Sequence, residues 1–285
     1  MYLVSYEHKY KSKVMDLLGE SGYELLWGDK SIHNILAIND NNIIGIGALW
    51  RNKVHPYREY VGIYVSEHKR NQGVGYAIYK ELLTISQTKQ FQAAVSSKNN
   101  FAMAFLKKCR FKIARRCFTP TLIQLRKESA EEQLMDCNVI SLSDSPANLK
   151  AQLVHIQYEN YKLFHSAVNP LNSDISIDEW EKMILDEIDE KHSFLFIKNN
   201  ELEAYIICYS EGSNEISIGY VGGKCVEKVT EYIPFYKITI LKLIHQFEIV
   251  TIEADDIDTF AFAALNEFFY NSTESWDTYV LNESK

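Results

Sequence analysis

The order of apolar runs along this 285-residue chain repeats, and that repeat restricts the fold more than any single motif does. In the first half, residues 1–6 alternate like a strand and 8–20 carry helical spacing through Val14, Leu17 and Leu18. The runs at 33–40 and 42–50 meet at Asp40-Asn41, a hairpin signal. A strand at 59–65, a helix at 73–85, a strand at 91–97 and a helix at 101–108 follow, and two strands at 112–118 and 121–126 meet at Pro120. The second half runs through a strand at 138–142, helices at 149–164 and 178–188, and strands at 193–199, 203–210 and 215–221. A helix at 234–247, a strand at 250–255, a helix at 259–269 and a closing strand at 275–281 complete it. Glu59-Tyr60-Val61-Gly62-Ile63-Tyr64-Val65 aligns without a gap on Glu215-Ile216-Ser217-Ile218-Gly219-Tyr220-Val221, and Ala102 and Leu106 have counterparts in Ala261 and Leu265. Two tandem α/β units with mixed sheets follow, each with strands in the middle and helices outside.

Charge divides the chain at the same place. Up to Lys127 there are 20 Lys+Arg against 9 Asp+Glu, and from Glu128 onward 10 against 29. This places units at 1–127 and 137–285 with a polar linker near 128–136. The basic half suits a polyanionic ligand, but its charges are dispersed and no nucleic-acid module is present, so nucleic acid is not expected as a partner. No apolar run is long enough for a membrane helix and no basic leader precedes an apolar stretch, so a cytoplasmic protein without a membrane partner is expected. Cys109, Cys117, Cys137, Cys208 and Cys225 form no CxxC pair, and no histidine cluster has metal spacing. They read as reduced thiols, with no metal.

The segment Val65-Ser66-Glu67-His68-Lys69-Arg70-Asn71-Gln72-Gly73-Val74-Gly75-Tyr76 carries the chemistry. A strand ends, a polar turn follows, and Gly73-x-Gly75 opens a helix. Glycine lets backbone N–H groups come close to a ligand, and the first helical turn leaves those groups unpaired with partial positive charge. Arg70 adds a full charge at the entrance. The turn is therefore suited to a pyrophosphate. A Walker A loop would need Lys-Ser/Thr where Tyr76-Ala77 stands. Gly45-x-Gly47 lacks the third glycine of a dinucleotide fingerprint and sits inside a strand pattern.

These residues resemble the central signature of the GNAT superfamily, Arg/Gln-x-x-Gly-x-Gly/Ala, through Arg70, Gly73 and Gly75, with the aliphatic Val65 five positions earlier. A second family element, Asn-x-x-Ala with an aromatic helix, is partly matched by Asn99, Ala102, Phe105 and Phe111. The resemblance spans about residues 1–127. It implies an acetyltransferase that binds acetyl-CoA as cosubstrate through Tyr64, Val65, Arg70, Asn71, Gln72, Gly73, Val74, Gly75, Tyr76 and Asn99. It also implies that the strand before the loop splays from its neighbour to pair with the pantetheine arm, and that a backbone N–H near Tyr64 or Val65 meets the oxyanion.

Direct acetyl transfer to an amine needs a base, a proton donor for the thiolate and dipoles for the tetrahedral oxyanion. Glu59 has the register of the base in the histone-modifying branch of the family; a strand-end carboxylate paired with Arg58 or held by water is its structural alternative. His55, Tyr57 and His68 are lesser candidates. Family members often carry a tyrosine acid where this chain has Leu106, and a glycine where it has Arg110. Transfer to a small-molecule or peptide amine, cationic if the acidic half lines the cleft, is the expected function; a coenzyme-responsive binding module with little turnover is the alternative. In the second half Val226, Val229 and Glu231 replace Arg70, Gly73 and Gly75, so a degenerate copy without the pyrophosphate cradle is expected there.

Overall fold

The computed structural model describes residues 1–19, 33–126 and 138–282. The expected linker at 128–136, Cys137 and the unit limits at 127, 137 and 285 lie outside the described residues.

The first half contains β1 (Tyr2–Ser5), α1 (Lys11–Leu18), β2 (His33–Asn39), β3 (Asn42–Trp50), β4 (Glu59–Val65), α2 (Val74–Ile85), β5 (Gln90–Ser96), α3 (Asn100–Lys108), β6 (Lys112–Phe118) and β7 (Leu122–Leu125). The second contains β8 (Asn138–Ser141), α4 (Ala147–His165), α5 (Ile177–Leu185), β9 (Phe194–Lys198), β10 (Glu201–Ser210), β11 (Glu215–Gly223), α6 (Val229–Gln246), β12 (Ile249–Ile252), β13 (Ala254–Asp255), α7 (Thr259–Asn266), β14 (Phe268–Tyr270) and β15 (Ser275–Asn282).

The repeat is visible in local detail. Asp40 and Asn41, between β2 and β3, both take positive φ, and so do Asn199 and Asn200 between β9 and β10. That backbone matches the right-handed twist of a tight hairpin. β4 and β11 begin 156 residues apart, as the alignment requires. Asn99 caps α3 by accepting from Ala102 N, and Asp258 caps α7 by accepting from Phe260 N and Ala261 N.

Helices cover both faces of each sheet. In the first half α2 and α3 bury Ile78, Leu82 and Leu106 with Val61, Phe91 and Phe111, while α1 buries Val14 and Leu18 against Leu36 and Ile46 on the other face. The second half packs Tyr232, Phe235 and Ile240 of α6 and Phe260 of α7 on one face, and Leu153 of α4 and Trp180 of α5 on the other. Gly45 and Gly47, read above against a dinucleotide loop, serve this packing. A Cβ on Gly47 would lie 2.3 Å from Ile78 and 2.9 Å from Leu82, so the absent side chains let α2 settle on β3.

One pairing departs from the sequence reading. The closing strand β15 does not finish the second sheet. The first sheet runs β1-β2-β3-β4-β5-β15-β6-β13, and β15 pairs antiparallel with β5 from Trp276–Ser96 to Asn282–Gln90 and with β6 from Ser275–Phe118 to Val280–Lys112. The second sheet runs β12-β11-β10-β9-β8. Conversely β7 leaves the first half: it pairs with β14, the adjoining Thr121 bridges to Thr251 of β12, and Leu122 is buried in the second half's core. Each half thus lends its last strand to the other, and a cut near residue 128 does not separate the sheets.

The exchange predicts that a chain truncated at residue 272 will lose cooperative thermal unfolding, because β5 and β6 would face each other with a strand-wide gap and open edges. Tyr279, 2% exposed on β15, should cost about 3–5 kcal/mol on replacement by alanine, measured by denaturant unfolding of the full chain.

Candidate active site

The glycine turn has the expected form. β4 ends at Val65, one 3-10 turn spans Glu67–Lys69, Asn71 takes φ 61° and Gly73 φ 82°, and α2 begins at Val74. The first intrahelical bond runs from Ala77 N to Gly73 O at 3.0 Å. No side chain caps α2 and its first turn holds no acid, so its leading N–H groups are presented outward. A Cβ on Gly73 would meet nothing within 4 Å, so the need for glycine there is the left-handed backbone. Gly75 lies where Val65 and Phe105 converge: a Cβ would sit 3.5 Å from each, ordinary contact. Arg70 braces the turn, its Nε donating to Val65 O at 3.1 Å and its Nη1 to Glu67 at 3.3 Å, with the guanidinium 6.0 Å above the Tyr64 ring. Gln72 Nε2 donates to His68 O at 2.9 Å. Asn71, Gln72 and Tyr76 are exposed around the glycines, and Val74 is buried beneath them.

The strand before the turn splays. β4 pairs with β3 along its whole length, from Trp50–Tyr60 to Gly45–Val65, but with β5 only at Glu59–Phe91 and Tyr60–Gln92. Beyond Tyr60 the two parallel strands diverge, and the edge of Val61 to Val65 facing β5 has no strand partner. A V-shaped opening therefore leads from Tyr60 and Gln92 at its vertex to the glycine turn at its mouth.

Glu59 is placed differently from what its register suggests. Its carboxylate is 3% exposed and accepts from Ser86 Oγ at 2.5 Å, Gln87 N at 3.2 Å, Thr88 Oγ1 at 3.3 Å and Arg51 Nη2 at 3.4 Å. These donors saturate its lone pairs and tie the α2–β5 turn to the base of β4. Arg58, the partner first considered for Glu59, instead reaches the other half through Val168 O at 2.8 Å and Asn282 Oδ1 at 2.6 Å. Asn99 is exposed, and its Oδ1 is taken by the α3 cap. Leu106 is buried among the α2 and α3 side chains, so position 106 belongs to the core. Arg110 takes φ 67°, the backbone for which the family's glycine is suited.

His55 and Tyr57 stitch the halves together. His55 is held neutral by burial, so Nδ1–H donates to Pro170 O at 3.3 Å while Nε2 accepts from Tyr161 Oη at 2.9 Å. Tyr57 Oη accepts from Ser173 N and donates to Ser173 Oγ, both at 3.3 Å. His68 is exposed in the turn. In the second half α6 begins at Val229 with Glu231 in its first turn, an acid where the first half leaves bare amides.

A polar group missed in the sequence reading lies at the seam. Asn169 Nδ2 donates to Tyr60 Oη at 3.1 Å, and Tyr161 stacks on His165 with centroids 4.2 Å apart. Arg115 Nη1 and His165 Nε2 both reach Asp255 Oδ2, at 2.8 and 3.1 Å. Asp255 is held below the usual carboxylate range by His165 and Arg115 against the opposing effect of its burial. Nothing in local spacing marks Tyr60, Arg115, Tyr161, His165 and Asn169, which come from β4, β6, α4 and the segment after α4, whereas Asp255 of β13 belongs to the acidic stretch at 253–258. Among the described residues no group of three or more His, Cys, Asp or Glu has metal-binding geometry, and no helix is long and apolar enough to cross a membrane.

Glu59→Gln should lower stability by about 1.5–3 kcal/mol, because an amide forces an N–H toward donors, and should leave turnover within a few-fold. A large loss of turnover at unchanged melting temperature would return Glu59 to the role of base.

A sequence model of the acetyltransferase (GNAT) family matches residues 2–111. No curated protein matches the chain in sequence. Among solved structures, a GCN5-related N-acetyltransferase from Sphaerobacter thermophilus superposes with TM-score 0.57 at 11% identity, over 98% of this chain and 95% of its own. A tandem GNAT protein from the clavulanic acid biosynthesis pathway superposes with TM-score 0.52 at 11% identity, over 98% of each chain. The chain has the fold of two tandem GNAT-like α/β units, and its residues 2–111 match the acetyltransferase (GNAT) family.

Proposed function

We propose that the chain transfers an acetyl group from acetyl-CoA to an amine by direct attack. The observation that carries this reading is the conjunction of an uncapped, acid-free start of α2 with a strand that leaves its partner just before it. The pyrophosphate would lie against the N–H groups of Gly73, Val74, Gly75 and Tyr76, with Arg70, Asn71 and Gln72 around it. The pantetheine arm would pair with the open edge of β4 through Tyr64 and Val65, and Asn99 stands at the start of α3 on the opposite arm of the V.

At the vertex the amine attacks the thioester carbonyl. A C–N bond forms, the carbonyl electrons move to oxygen, and collapse of the oxyanion expels the thiolate, which takes up a proton as the nitrogen loses one. A backbone N–H of the open β4 edge stabilises the oxyanion without a side chain, so Leu106 does not remove this contribution. The binding-module alternative drew on Leu106. Leu106 cannot donate a proton, so in the transfer reading another side chain or water protonates the thiolate.

Free thiol released from acetyl-CoA across an amine panel tests the reading: turnover with at least one amine is expected, and saturable binding with none released would sink it. Arg70→Ala should weaken coenzyme binding by about 1–3 kcal/mol. Gly73→Val strains the turn by about 1–2 kcal/mol and should weaken binding at least as much, whereas Gly75→Ala, whose Cβ has room, should bind nearly as wild type. Titration of the three variants with coenzyme A checks the order.

A further inference from the structure

The face of the first sheet turned toward the second half is built as a binding cleft. Tyr60 and Gln92 are paired in register at the vertex of the V, so their side chains share one face. Ala94, two residues along β5, pairs with Thr278, which pairs with Arg115; all lie on that face, as does Cys117. Around it the second half brings Tyr161 and His165 of α4, Asn169, Tyr220 of β11 and Glu253, while Asp255 of β13 stands at the edge of the sheet itself, in register with Cys117.

This face is not closed over by the second half. Ala94 is exposed although β5 is an interior strand of the sheet, and Tyr60, Tyr161 and Tyr220 are only half-buried at the centre of the molecule. Glu253 is exposed to solvent, yet desolvation, with Asp255 adding to it, pushes its carboxyl above the usual range. Desolvation, aided by Glu253 and Asp255, also pushes the Tyr220 hydroxyl up to about 12.

The unsatisfied atoms say what fits. Gln92 is 3% exposed and Asp255 6% exposed, and Gln92 Oε1 and Asp255 Oδ1 have no hydrogen-bond partner. Buried orphan acceptors are costly, and N–H donors brought from outside the chain would satisfy them. Arg115 Nε is likewise without a partner and offers one donor to an acceptor atom. The formal charge of Glu253, Asp255 and Arg115 leaves one negative charge in excess, among tyrosine rings whose faces favour cations.

Building on the transfer reading above, we infer that this seam between the halves is the acceptor site and that it takes an alkylammonium, gripped by Glu253, Asp255 Oδ1 and Gln92 Oε1 between the rings of Tyr60, Tyr161 and Tyr220. An amine whose far end carries a carboxylate is repelled by the same groups.

The test is calorimetric titration of the full chain with cadaverine and with 5-aminopentanoate, which share a length and an amine but differ in the charge of the far end. Cadaverine should bind about tenfold tighter. Glu253→Gln should erase most of that preference. Gln92→Leu should narrow it while raising the melting temperature, since an orphan acceptor leaves the interior; a purely structural Gln92 would raise stability and leave the preference intact. Equal affinities for the two probes, no binding of either, or a preference unchanged in both variants would overturn the assignment. Thiol release separates the two claims: a cadaverine preference with no acetyl released retires the transfer reading alone, whereas release with both amines at equal efficiency retires the cleft assignment alone.

Discussion

The opening between β4 and β5 depends on a strand from the far end of the chain. After Tyr60, β5 has no partner on its β4 side, and a strand with one unpaired edge in a protein's centre would close up or fray. What holds it is the seven-pair ladder with β15, from Gln90–Asn282 to Ser96–Trp276. β15 in turn is held by β6 on its other side, and Tyr279 and Leu281 anchor it in the same apolar core as Phe91 and Ala93. The V is therefore kept open by residues about 180 positions away, and the two halves form one cooperative structure even though the repeat suggests two.

This explains what was legible in the sequence and what was not. Hairpin residues, apolar period and the Gly73-x-Gly75 turn act locally, so the elements and the turn could be read directly, and the 156-residue offset of the repeat holds to the residue at β4 and β11. Strand exchange could not be read, because 121–126 and 275–281 alternate in the same way and either could complete either sheet. Sequence alternation specifies which face is buried, not which neighbour supplies the ladder. Glu59 illustrates the same limit for a site. Its register pointed to catalysis, but its role follows from Ser86, Gln87 and Thr88, which the chain brings back 27 to 29 residues later.

The two copies of the repeat have taken different tasks while keeping their frame. Asn99 and Asp258 cap equivalent helices, and Leu106 and Leu265 are both buried. The divergence that bears on anion binding lies at the start of the helix after the central strand. In the first copy Gly73 takes a left-handed backbone and leaves bare amides; in the second Val229 continues from a 3-10 turn and Glu231 places a carboxylate in the first helical turn. A carboxylate there complements the helix dipole as a phosphate would, so α6 is stabilised by its own sequence where α2 is left awaiting an anion.

Retaining a copy that has lost its anion cradle makes physical sense once the seam is considered. In the transfer reading, the face of the splayed sheet around the vertex is where the amine would be held, and a lone unit of this kind would leave it open to solvent. Here α4 and β11 of the second copy lie toward that face, β13 extends its edge, and Arg58, His55 and Tyr57 pin the β3–β4 connection to the segment after α4. Because the exchanged strands join the halves through backbone ladders, this cover cannot swing away as a lid would without breaking a sheet. The distance between the vertex and Asp255 is set by the register of β6, through Cys117–Asp255 on one side and Trp276–Cys117 on the other. On the acceptor assignment inferred above, selectivity would be written into the strand register shared by the two copies: a shift of one residue in β6 would turn Arg115 and Cys117 to the opposite face and leave Glu253 and Asp255 without the balancing guanidinium.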